Sequence, residues 1–115
     1  MRAIAAPQLL TVRAAEGEWH ELLEGVAVKQ LYVDAERGTV TSLFKLQPGA
    51  SLPIHFHAGT EECLVLEGDL RTDEIVLHRG DYHCAPKGSR HPLIMSVTGA
   101  LLLIVAQASP EARVV

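Results

Sequence analysis

The sequence predicts an all-β fold, an antiparallel sandwich or barrel, and three observations carry that reading. Runs rich in β-branched and apolar residues recur at short intervals, glycine and proline punctuate them regularly, and no segment shows a convincing helical period. Short strands without intervening helices bury their apolar faces by stacking as sheets or by closing on themselves.

The elements follow in order. Residues 18–23 read as a helical turn or a loop, with Trp19, the one tryptophan, as a packing residue. Thr39–Leu46 is a strand, ended by the turn chemistry of Pro48-Gly49. Residues 62–66 form the next strand, expected to stop at a tight turn on Gly68-Asp69. Residues 70–78 read as two short pieces before Gly80-Asp81 turns the chain, and Pro86-Lys87-Gly88 marks a further turn. Residues 93–97 and 100–106 are expected to pair as a hairpin around Thr98-Gly99. The second of these is apolar on both faces and is expected to be buried on both sides.

Composition bounds the function. At 115 residues the chain fits a single domain, taken as 1–115, large enough to bury a core without disulfides. Apolar residues make up 48% and the net charge is −4, which argues against disorder and against a basic face for nucleic acid. Cys63 and Cys84 are expected as free thiols, as suits a reducing cytoplasm. The N-terminus has no sustained apolar run, and residues 100–106 are too few to cross a bilayer, so a cytoplasmic protein with no membrane partner is expected.

The chemistry is concentrated in Gly49-x5-His55-x-His57-x3-Glu61-x6-Gly68. Residues two apart on a strand project to one side, so His55 and His57 can share an ion. Glu61 needs only the short turn Ala58-Gly59-Thr60 to join them. A second frame, Gly80-x5-Pro86-x-Gly88-x2-His91, supplies a fourth candidate ligand.

These two frames resemble the two sequence motifs of the cupin superfamily. The first, at about 49–68, is matched at every defined position. In the second, at about 80–95, Gly80, Pro86, Gly88 and His91 match, while Met95 stands where an asparagine is usual. The resemblance implies a single-domain cupin jelly-roll β-barrel, a double-stranded β-helix of the RmlC type. Within that superfamily the wording from Pro48 to Glu62 and from Gly80 to Pro86 is similar to the C-terminal cupin of ChrR-type anti-sigma factors and to related stand-alone metal cupins. That similarity implies a zinc site of His55, His57, Glu61 and His91. The anti-sigma activity of that group resides in an N-terminal helical zinc domain, for which too few residues precede the motifs, so sigma-factor binding is not carried over. A homodimer is expected by the same resemblance.

Three imidazoles and a carboxylate suit Zn, Fe, Ni or Mn, and affinity order alone does not choose among these divalent ions. An open coordination position would let the ion act on a small organic molecule. Such an enzyme would be a dioxygenase cleaving a β-diketone or an aromatic ketone. A closed site would make the protein a zinc-binding sensory cupin without catalysis, so no catalytic residue is assigned. Around the ligands, His83 is a candidate to orient one of them, with a wall histidine as the alternative. Cys63 shares strand parity with Glu61 and faces the same side as an inert or a reactive thiol. Tyr82 and Phe44 either line a pocket or pack in the core.

Overall fold

The computed structural model describes residues 7–52, 55, 56, 59–72, 74–91 and 93–107, with the side chains of His55, Phe56 and His91 outside that description. Every regular element among these residues is a β-strand, and every pairing is antiparallel. In chain order they are β1 His20–Leu23, β2 Val26–Asp34, β3 Thr39–Leu46, β4 Ser51–Leu52, β5 His55–Phe56 and β6 Glu61–Arg71. β7 Val76–His78, β8 Tyr82–Ala85, β9 Arg90–His91, β10 Ile94–Met95 and β11 Ala100–Gln107 complete the set.

A curled nine-stranded sheet runs in the order β1-β2-β3-β11-β6-β10-β4, with β7 and β8 also paired to β6, and β5 and β9 form a separate ribbon. β11 lies at its centre. It pairs with β3 from Ala100↔Leu46 to Gln107↔Thr39 and with β6 from Ala100↔Gly68 to Ala106↔Glu61. The period-two alternation of these strands sends Phe44, Leu46, Val65, Leu102 and Ile104 into one buried cluster with Val26. On the other side of the same strands, Leu43, Leu64, Leu101 and Leu103 remain half-buried.

Thr39–Leu46 is a strand within its expected bounds, and other expectations need correction. Residues 20–23 form β1 rather than a helical turn, pairing His20↔Val28 and Glu21↔Ala27. β2 went unforeseen because Lys29, Gln30 and Asp34 dilute its apolar pattern and a bulge between Gln30 and Tyr32 breaks its alternation. The 93–97 and 100–106 hairpin does not form. β10 pairs instead with β4 and β6, while β11 inserts between β3 and β6. Accordingly β11 is buried on one face and only half-buried on the other, not buried on both.

Nor does Gly68-Asp69 turn the chain. β6 continues through it to Arg71. Gly68 sits at φ +79°, beside a bulge where Leu101 faces Glu67 and Leu102 faces Val65. A Cβ placed on Gly68 would meet the carbonyl oxygen of Gly99 at 1.8 Å, so β6 passes β11 only with hydrogen at this point.

Candidate metal centre

The two sequence frames meet on the small ribbon. β5 and β9 pair with His55↔His91 and Phe56↔Arg90, so two of the four expected ligand positions are cross-strand partners. Such partners lie about 4.5–5.5 Å apart at Cα. Their side chains, and the whole of His57, lie outside the described residues.

Glu61 opens β6 and is held from both sides, opposite Ala106 of β11 and Ala85 of β8. Its strand parity is that of Cys63 and Val65, both buried, which places Glu61 on the inner face of the sheet. Cys63 is 4% exposed; burial pushes its thiol up to about 12, and the neighbouring Glu61 carboxylate adds to the rise. The expectation of an inert buried thiol fits this environment. Cys84 is also a free thiol, but exposed.

His83 lies directly across from Cys63 and is half-buried on the same inner face. Phe44 is a member of the buried cluster, which makes it a core residue. Tyr82 requires a correction. It pairs with Leu64 on the opposite face of β6 and β8, is 56% exposed, and donates its hydroxyl to Glu62 Oε1 at 2.6 Å. That hydrogen bond, first, together with partial desolvation and the proximity of Cys84, raises the phenol above its ordinary range. Tyr82 therefore lines the outside of the sheet and not its interior. Glu62 shares that outer face, since it alternates with inward Glu61 and Cys63 along β6.

Two buried charges were not foreseen. Lys29 is 1% exposed, and Asp69 is 4% exposed. Asp69 accepts from the backbone N–H groups of Val97 and Thr98, from the hydroxyls of Ser96 and Thr98, and from Arg71 Nε at 2.9 Å. Burial alone would raise its carboxyl, but these donors outweigh burial and hold it well below the usual carboxylate range. Asp69 thus clamps the connection between β10 and β11 to β6. Nothing in the pair Gly68-Asp69 distinguishes such a clamp from a turn. Among the described residues, no three His, Cys, Asp or Glu side chains gather to hold an ion.

With this geometry in place, the sequence of the chain matches, over residues 7–110, the family described as the ChrR cupin-like domain. The chain belongs to that family. Its all-β cupin fold recurs in solved structures. The acetylacetone dioxygenase of Acinetobacter johnsonii superimposes with a TM-score of 0.76 at 15% identity, covering 93% of this chain and 78% of that one. KdgF from Halomonas sp. gives 0.75 at 15%, covering 94% and 100%. The complex of Rhodobacter sphaeroides SigE with the anti-sigma ChrR gives 0.72 at 25%, covering 82% of this cupin and 51% of that chain, about half its length. No curated protein matches the sequence. No helix among the described residues of this cupin is long and apolar enough to cross a membrane.

Proposed function

We propose that this cupin holds one divalent metal ion with His55, His57, Glu61 and His91 and binds a small oxygen-donor organic molecule there. The observation that carries the reading is the β5–β9 register, which makes His55 and His91 cross-strand partners although they come from separate motifs. Glu61 supports it from the inner face of β6, where its cross-strand partners are the small residues Ala85 and Ala106. The donor set fits a first-row divalent ion. Neutral imidazoles and a carboxylate serve Zn, Fe, Ni and Mn alike. When bound, the ion supplies Lewis acidity toward an enolate or carboxylate oxygen. Glu61 is occupied as a ligand in this reading and holds no proton. His83 and Cys63 form the adjacent inner wall, with the histidine offering a polar contact and the thiol a largely apolar one.

The fold likeness to an acetylacetone dioxygenase directs the choice of probe to a β-diketone. Calorimetric titration of acetylacetone into metal-loaded protein is expected to give saturable binding, and titration into chelator-stripped protein none. Equal heats from both preparations would contradict a metal-centred site. Oxygen consumption by the iron, nickel or manganese form in the same mixture identifies the molecule as a substrate. Its absence with a fully occupied redox metal assigns the protein to the sensory class.

A further inference from the structure

Four polar or charged residues among those described are buried: Lys29, Ser42, Asp69 and Ser96. Three of them are satisfied. The Lys29 ammonium donates to the carbonyl oxygens of Arg13, at 3.3 Å, and Ala14, at 3.1 Å. Asp69 accepts from Arg71 and from residues 96–98, the Ser96 hydroxyl included. Ser42 is the exception. It is 7% exposed, and its hydroxyl makes no hydrogen bond among the described residues. A buried hydroxyl without a partner costs stability that an alanine in its place would not.

Register places that hydroxyl relative to the candidate metal centre. Ser42 alternates with buried Phe44 and Leu46 along β3, so it faces the inner side of the sheet. It pairs with Ile104, Ile104 with Cys63, and Cys63 with His83, so one inner row crosses β3, β11, β6 and β8. The neighbouring row is Val40, Ala106, Glu61 and Ala85. Ala106, the partner of Glu61, is the diagonal neighbour of Ser42, so the residue between carboxylate and hydroxyl carries only a methyl group. With strands about 4.8 Å apart and a rise of about 3.4 Å per residue, the Cα atoms of Glu61 and Ser42 stand roughly 12 Å apart along the sheet.

We infer that Ser42 is the distal end of the small-molecule site, and that the molecule carries a hydroxyl or carbonyl oxygen on a short alkyl chain beyond the oxygens held at the metal. The inference rests on the metal-centred reading above and extends it to the class of ligand. The alkyl chain lies along Ala106, Ile104 and Cys63, which offer it apolar contacts, and its terminal oxygen meets the Ser42 hydroxyl. Because that hydroxyl both donates and accepts, it serves an alcohol and a carbonyl alike. A chain ending in a methyl group leaves the hydroxyl unpaired, and this difference is the source of selectivity.

Calorimetric titration of the metal-loaded full chain tests it, with β-diketones whose tails of about two to five carbons end in a hydroxyl, each beside its methyl-ended counterpart. At the tail length that fits, the hydroxyl form is expected to bind wild type about 10-fold tighter than the methyl form, and Ser42→Ala should bring that ratio to about one or below. Acetylacetone, which lacks the tail, should bind both proteins equally. Ser42→Ala should also be at least as stable as wild type in urea, because the unpaired hydroxyl is gone. Hydroxyl and methyl forms that bind wild type alike at every tail length would overturn the inference. A ratio that survives in Ser42→Ala would do the same, and so would a clear loss of stability in that variant, which makes the hydroxyl structural. These results leave acetylacetone binding intact, whereas failure of the metal-centred reading removes metal-dependent binding of every probe and the inference with it.

Discussion

Asp69 shows how one side chain can hold a connection that the local sequence leaves open. It is buried, ionised and satisfied by four donors from residues 96–98 as well as by Arg71, whose half-exposed guanidinium contributes less because solvent screens it. Replacing it with alanine leaves those donors inside without an acceptor, and the expected loss, read by urea denaturation, is about 2–4 kcal/mol. The sign of its pH dependence follows from its depressed folded-state pKa. Its contribution is present above the ordinary unfolded carboxylate value of about 3.9 and is lost as pH falls below that value toward the folded one. Stability of the wild type should therefore fall more steeply below about pH 4 than that of Asp69→Asn. Parallel curves in acid would contradict the clamp. The motif spacing offered His55, His57, Glu61 and His91 as candidate ligands, yet it was silent on Asp69, because a carboxylate after glycine has the same local signature in a turn and in a buried clamp.

At the level of elements, Thr39–Leu46 was legible because its apolar residues alternate without interruption and a proline-glycine pair follows. β1 and β2 were not, since polar residues and a bulge hide the period, and a lysine at position 29 gives no sign that the N-terminal segment will cover it. The false hairpin of β10 and β11 has a related cause. Turn chemistry reports where a chain bends, whereas the choice of partner is made by long-range packing of β11 between β3 and β6. The motif glycines also looked equivalent and are not. Gly80 has φ +89° and open space where a Cβ would go, so Gly80→Ala should cost only about 1–2 kcal/mol of left-handed strain. Gly68→Ala must push against the Gly99 backbone as well and should cost more than Gly80→Ala, by at least about 2 kcal/mol in the same denaturation assay. Equal losses would show that the β6–β11 approach is looser than the structure has it.

For the whole molecule, the curled sheet gives two unlike surfaces. The concave side carries Glu61, Cys63 and His83, and the convex side carries the half-buried Leu43, Leu64 and Leu103. Of the candidate ligand set, the motifs made legible the pairing of positions 55 and 91, which face each other across β5 and β9. The convex face could not be read in the same way, since its leucines differ from core leucines only by what the fold leaves uncovered. The central claim concerns the concave side, and elemental analysis of protein purified without added metal tests it most directly. Wild type and His83→Ala are expected to carry about one divalent ion per chain, while His55→Ala and His91→Ala, still folded by circular dichroism, carry less than about a tenth of that. Metal content unchanged in both ligand variants would contradict the account.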